Sequence, residues 1–355
     1  MQSSTSILPQ RPCGRSGLSL PVLGLGTWSF GGGNYWGPQD QGDVNAVVEH
    51  ALDQGITYFD TAEMYNAGAS ETSLGLALRG RRDRAVIGSK ISPGHTRPAT
   101  LRLRCEASLR RLGTEWIDLY MVHWPIHAGS IRHFTDDADL IANPPSVAEA
   151  FLTLSALQKE GKIRYIGVSN FGPRQMAEVR DLGVPIAVNE LPYNLLMRGI
   201  ETDIGPYCRL HGIGILGYMT LMQGVLAGDF ESFDALPPMR TRTRHFSSQR
   251  SASRHGENGF EPETWSALEG IRQIAREEGI PLADMAIAWA LSNPDISCVL
   301  AGCRTLTQLE ENTRAVHRRL EPGVLRRLNA ATDEVRRLLG PNPDYYQGLA
   351  DTRSW

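Results

Sequence analysis

The chain has 355 residues, 41% of them hydrophobic, and a formal net charge of −3. That length and apolar content suffice for one large core, and the near-neutral charge gives no reason to expect nucleic acid or an anionic membrane as partner. No window approaches the roughly 18 continuous apolar residues of a membrane span, and residues 1–10 lack the basic front and apolar centre of a secretory signal. The cysteines, Cys13, Cys105, Cys208, Cys298 and Cys303, are odd in number and scattered, with no C-x-x-C pair. That pattern fits buried or free thiols in a reducing, cytoplasmic setting and speaks against a disulfide framework or zinc knuckle.

In chain order, residues 11–21 read as a hairpin cap turned at Gly14-Arg15-Ser16-Gly17. A strand-like run at 22–26 leads through a loop rich in glycine and aromatics, 30–41, to a helical pattern at 42–54. Strand and helix then alternate: 57–60 and 70–79, 84–89 and 97–111, 117–122 and 147–160, 163–168 and 173–181, 186–189 and 199–210, 214–217 and 282–291, 297–301 and 305–317. Two helical patterns, 263–278 and 324–338, lie outside these pairs. Near-strict alternation implies parallel strands, because parallel neighbours need crossovers. The expected fold is therefore α/β, a (β/α)₈ TIM barrel with an N-terminal β-hairpin and two extra helices, as one domain over residues 1–355.

Two further loops are long, 126–146 with Asp136, Asp137 and Asp139, and 229–261 with Arg240, Arg242, Arg244, Arg250 and Arg254. All three long loops follow strands and would gather at one face of the barrel. The arginine-rich loop has two readings, a lid over cofactor phosphates or an acidic substrate, and a mobile solvated loop. The tail, 339–355, is free to cover the pocket, pack on a neighbour or hang loose.

Four residues carry the chemistry. Asp60, Lys90 and His123 close or follow short apolar runs, and Tyr65 stands just beyond Asp60. A carboxylate, a phenol, an ammonium and an imidazole at the same end of successive strands make a proton-transfer site. A free tyrosine ionises near pH ~10, and a neighbouring ammonium favours the phenolate and eases proton transfer. Asp60 would hold Lys90 charged, and His123 would donate to a carbonyl oxygen while Tyr65 supplies the proton. Gly24-Leu-Gly26-Thr-Trp-Ser29 fails as a dinucleotide fingerprint because Ser29 stands at the third glycine position. His123 and His127 have zinc-like i,i+4 spacing, but the preceding strand and Pro125 oppose a helix, so no metal is expected.

These residues sit in Phe59-Asp60-Thr61-Ala62 and Val122-His123-Trp124-Pro125. With Gly167-Val-Ser-Asn-Phe171, Pro192-Tyr-Asn-Leu-Leu196 and the stretches 218–228 and 302–312, the chain resembles the aldo-keto reductase superfamily from about residue 22 onward. The resemblance implies a (β/α)₈ reductase using NADP(H), with NAD(H) possible, and Asp60, Tyr65, Lys90 and His123 as its catalytic tetrad. It implies cofactor contacts from Thr27, Trp28, Asp60, Ser169, Asn170, Glu190, Tyr218, Thr220, Leu221, Gln223, Gly224 and Leu226. At the adenosine-phosphate end it implies Gly302, Arg304, Gln308, Glu311 and Asn312, where a helix N-terminus also favours an anion. Trp28, Tyr65, His123 and Trp124 would line the substrate site, with Tyr35 and Trp36 adding to it.

Two positions depart from the family pattern. Glu190 stands where glutamine is usual, and its negative charge would favour the oxidised nicotinamide. Gly302 stands where some members place a lysine for the 2′-phosphate, and Arg304 would compensate. The expected function is interconversion of an aldehyde or ketone and its alcohol. The alternatives are a sugar or polyol dehydrogenase, and a cofactor-sensing regulatory β-subunit. The expected partner is a small-molecule carbonyl or alcohol.

Overall fold

The computed structural model describes residues 8–228 and 230–354. Strands β1 (Gln10–Pro12) and β2 (Ser19–Pro21) form an antiparallel hairpin. The next eight strands are β3 (Leu23–Gly26), β4 (Tyr58–Asp60), β5 (Val86–Ile91), β6 (Ile117–Val122), β7 (Ile163–Ser169), β8 (Val188–Pro192), β9 (Gly214–Tyr218) and β10 (Ile296–Gly302). They pair in parallel, in chain order, and β10 returns to β3 to close the barrel.

Helices α1 (Gln41–Asp53), α2 (Ala69–Ala77) and α3 (Pro98–Leu112) follow β3, β4 and β5. The loop after β6 carries two short helices, α4 (Ala128–Ile131) and α5 (Ala138–Ala142), before the crossover α6 (Val147–Lys159). Next come α7 (Pro173–Asp181), α8 (Ile204–His211), α9 (Glu261–Glu278), α10 (Leu282–Ser292), α11 (Leu306–Val316) and α12 (Pro322–Leu339). Local chemistry sets their starts: Asp40, Ser146 and Thr305 accept from first-turn amides of α1, α6 and α11, and prolines open α3 and α7. The extra helices α9 and α12 pack on each other beside the barrel. The helix expected over 199–210 is shorter, because a 3₁₀ turn at Gly199–Glu201 precedes α8 and Asp203 caps it.

Inside the barrel the strand period of two stacks side chains in layers. Tyr58, Leu119, Met121, Val188, Leu216, Cys298 and Leu300 fill the lower layers, and the hairpin closes that end with Cys13, Leu18 and Leu20. Two residues above Tyr58 and Val188 on their strands come Asp60 and Glu190, and two above Gly88 comes Lys90. All five cysteines are free and buried. Gly88 makes room for the bulkiest of these packing groups: a Cβ there would lie 2.3 Å from the Tyr58 hydroxyl oxygen. Gly88→Ala is therefore expected to destabilise the fold by about 1–3 kcal/mol through overpacking, read as a lower urea midpoint. An unchanged midpoint would show that Tyr58 has room to move.

The loop 229–261 and the tail lock each other in place. Arg244 is 1% exposed and donates through Nε to Glu257 (2.8 Å) and through Nη1 to the Leu339 carbonyl (3.2 Å). Its backbone amide donates to the Tyr345 carbonyl at 2.7 Å, and the His245 ring stacks on Tyr345. Farther along, buried Asp344 accepts two bonds from the Arg353 guanidinium, at 2.8 and 2.7 Å. That guanidinium lies 3.6 Å from the Trp124 ring centroid, so the tail crosses the face formed by the C-terminal strand ends. Of the three dispositions open to the tail, the structure shows the covering one. Among the described residues no helix is long and apolar enough to cross a membrane.

Candidate active site

Asp60 ends β4, Lys90 lies one residue inside the end of β5, and His123 follows β6 directly. Tyr65 opens a 3₁₀ turn, Tyr65–Gly68, in which Asn66 and Ala67 take left-handed conformations at φ 51° and 53°. Asn66 holds that turn to the first long loop by donating to the Trp28 and Phe30 carbonyls, each at 2.9 Å. Tyr65 is thereby brought back over Lys90.

The fully buried Lys90 ammonium donates to both Asp60 oxygens (2.7 and 2.6 Å), to the Thr61 carbonyl (3.1 Å) and to the Tyr65 hydroxyl (3.2 Å). Tyr65 and His123 meet edge to face, with ring centroids 5.7 Å apart. Burial alone would lower Lys90, yet the carboxyls beside it, Asp60 foremost and Glu190 next, hold it above the ordinary ammonium value. Burial, with Lys90 and Arg353 adding to it, pushes His123 well below the usual imidazole value, so the ring is neutral and one nitrogen donates. Its Nδ1 is buried without a hydrogen-bond partner. For Tyr65, burial raises the phenol and the ammonium lowers it, with burial the larger effect. The phenol thus keeps its proton in this closed pocket, because burial outweighs the ammonium considered from the sequence.

Glu190 is the main surprise. Its Oε1 lies 3.4 Å from Lys90 Nζ, and its Oε2 is buried without a partner. Two carboxyls and one ammonium share one buried space. Burial first, and Asp60 second, push Glu190 well above the usual carboxyl value. Burial and the neighbouring Asp60 thus work against the standing negative charge expected of Glu190 beside the cofactor. A carboxyl raised by folding contributes stability that is present below its unfolded pKa and lost as pH rises through the folded one. Glu190→Gln should accordingly be more stable than the parent by a margin that grows with pH, measured as melting temperature across the neutral and alkaline range. A margin independent of pH would mean that Glu190 is ionised throughout.

The residues expected at the cofactor divide into several groups. Ser169 ends β7 and Asn170 follows at φ 63°; Asn170 Nδ2 donates to Ser169 Oγ (2.9 Å) and to the His123 carbonyl (3.2 Å). Tyr218 donates to Asn170 Oδ1 at 2.8 Å, leaving its ring at the barrel mouth. Beyond β9, Gln223 and Gly224 take φ of 54° and 97° and form a tight turn, while Leu221 and Leu226 anchor it in the core. Such a left-handed turn presents backbone amides to an anion. The hydroxyls of Thr27 and Thr220 already bond the Asp60 carbonyl (2.8 Å) and the Leu300 carbonyl (3.1 Å), so both brace the site.

Gly302, which ends β10, and Glu311 within α11 are exposed, and Asn312 beside the latter is buried. Gln308 accepts from the Arg304 amide at 2.8 Å. The Arg304 guanidinium donates to the Trp36 and Pro38 carbonyls and to Gln39. It thus ties the first long loop to α11, and this geometry does not aim it at a phosphate as its sequence position suggested. Trp28 stacks on Tyr35 (centroids 4.7 Å apart, 20°) and packs 6.1 Å from Tyr65. Trp124 is buried beneath Arg353. Arg353, Asp344 and Tyr346 were absent from the expected site. The sequence signal for Asp344 and Arg353 was opposite charge within an uncommitted tail, and Tyr346 carried none.

The chain is a closed (β/α)₈ barrel that gathers an Asp–Lys–Tyr–His group at the C-terminal ends of its strands. The comparisons with known proteins agree: the model of the Aldo/keto reductase family matches residues 22–333, and the chain belongs to that family. Protein tas of Escherichia coli is 33% identical, covering 89% of this chain and 95% of its own. The NADH-specific methylglyoxal reductase of the same organism is 29% identical, covering 86% and 93%. A crystal structure of an aldo/keto reductase from Klebsiella pneumoniae in complex with NADP and acetate is 27% identical. It superposes with a TM-score of 0.66 and covers 98% of this chain and 99% of that one.

Proposed function

We propose that the protein interconverts an aldehyde or ketone and its alcohol with NADP(H), Tyr65 serving as proton donor and acceptor. The observation that carries this is the Lys90 ammonium, gripped by Asp60 and 3.2 Å from the Tyr65 hydroxyl at the barrel mouth. The residues suit a nicotinamide cofactor: Ser169, Asn170 and the unpartnered Oε2 of Glu190 offer polar atoms beside Tyr218, and the turn at Gln223 and Gly224 suits phosphate. When bound, the cofactor supplies or accepts the hydride at the carbonyl carbon.

Neutral His123 donates to the substrate oxygen and orients it toward Tyr65. As negative charge grows on that oxygen, Tyr65 releases its proton, and Lys90 stabilises the resulting phenolate at short range. Asp60 holds the ammonium in place, with Thr27 and Ser70 fixing the Asp60 backbone and its loop. The tail and the aromatic first loop shield the pocket from water, which strengthens each of these interactions.

The test follows nicotinamide absorbance with NADPH and NADH over a panel of aldehydes and, in reverse, of alcohols and polyols. Steady multiple turnover of carbonyls is expected. Rates confined to polyol oxidation would support a sugar or polyol dehydrogenase instead. One slow turnover with tight cofactor retention would sink the enzyme assignment and support a cofactor-sensing subunit.

A further inference from the structure

The arginines of the loop 229–261 are not equivalent. Arg244 and Arg250 are bound to carboxylates, Glu257 for the first and Glu261 and Asp234 for the second. Arg242 stands among aromatic faces instead. Its guanidinium carbon lies 5.4 Å from the Tyr35 ring centroid and 4.9 Å from that of Tyr346, and its Nε is buried without an acceptor. Among the described residues no carboxylate pairs with it.

Those two rings locate the guanidinium at the mouth of the site. Tyr35 stacks on Trp28, which packs against Tyr65. On the other side, the Tyr346 hydroxyl meets Met219 Sδ, one residue past Tyr218. Arg242 is thus held against two aromatic rings by cation–π contact, and its Nε–H is left without an acceptor. A planar fork of this kind matches a carboxylate or phosphate in two parallel hydrogen bonds, which a lysine does not. The other charges nearby leave the mouth basic: Arg240 lies on the same loop, and Asp344 is neutralised by Arg353.

We propose that Arg242 anchors an anionic group, carboxylate or phosphate, on the far end of the carbonyl substrate, so that acidic aldehydes and ketones are the preferred substrate class. This rests on the reductase reading above and deepens it. Charge draws such substrates toward the mouth, and the fork orients the carbonyl end toward Tyr65 and His123.

The same chemistry could serve a phosphate of the cofactor, and the experiment separates the two sources. The full chain and its Arg242→Met and Arg242→Lys variants are assayed with NADPH against 4-carboxybenzaldehyde and its methyl ester. The ratio of kcat/KM for acid over ester is expected to fall at least about tenfold in Arg242→Met, roughly 1.4 kcal/mol, and to be partly restored in Arg242→Lys. An unchanged ratio overturns the proposal. So does a loss of NADPH affinity, measured by fluorescence titration, that lowers both substrates equally, since the guanidinium would then hold the cofactor. Binding of 4-carboxybenzaldehyde to the NADP⁺-loaded protein, read by tryptophan fluorescence, tests the anchor without turnover. Weaker binding to Arg242→Met than to the parent supports it, and equal binding overturns it. A parent that binds the acid but reduces neither aldehyde would count against the reductase reading alone.

Discussion

Replacing Tyr65 with phenylalanine is expected to lower kcat for carbonyl reduction by ~10²–10⁴, the usual worth of a placed general acid, while cofactor affinity stays close to that of the parent. The reason is geometric. The Tyr65 hydroxyl is the titratable group that Lys90 touches besides Asp60 and Glu190, and it alone of these stands beside His123. Removing one oxygen leaves the ring, its packing against Trp28 and the Lys90–Asp60 pair intact, so fold stability should barely change. The measurement is steady-state turnover followed by nicotinamide absorbance, with binding titrated by fluorescence. Turnover within a few-fold of the parent would show that another group supplies the proton.

Lys90→Met should abolish turnover and also destabilise the fold, by about 3–5 kcal/mol at neutral pH, since removing one partner of a buried pair leaves uncompensated charge. Here the charge left behind is unusual, because both Asp60 and Glu190 face the vacated position. Without the ammonium both carboxyls, already raised by burial, are pushed further above their unfolded pKa values. Such groups contribute fully below the unfolded carboxyl pKa, about 4, and lose that contribution as pH rises. The deficit of the variant should therefore shrink on acidification and widen toward alkaline pH, read from urea midpoints at several pH values. A deficit that did not vary with pH would mean that the two carboxyls have drawn water or another cation to themselves.

These two expectations separate roles that activity alone would merge. Tyr65 acts on the substrate oxygen, and its loss is chemical. Lys90 acts on Tyr65 and also neutralises the core of the site, so its loss is chemical and structural together. Glu190 belongs with the second role: it adds a second carboxyl to the same buried cluster, and its replacement by glutamine removes an ionisable group without removing a hydrogen-bonding shape.

The alternation of apolar runs and amphipathic stretches made the barrel legible. Strand β6 begins and ends where its run of apolar residues does, Ile117–Val122, because fully buried parallel strands carry few polar interruptions. Helix α7 is equally clear, opening on Pro173. Strand β8 runs three residues beyond the expected end at 189, because its outer end, Leu191 and Pro192, pairs only with Gly217 and Tyr218 of a distant segment. Asp60, Tyr65, Lys90 and His123 were readable because polar residues at the ends of buried strands have few structural reasons to be there.

What the sequence determined by itself was the order of elements and the identity of the groups at the strand ends, since both follow from local periodicity and residue chemistry. Only the tertiary structure decided which partner each long charged side chain takes. Arg304 holds the first loop, Arg244 and Arg353 lock the loop and tail over the pocket, and Glu190 turns to Lys90. The physical reason is that a guanidinium or carboxyl finds several partners of similar strength, and burial, set by the closed barrel, decides among them.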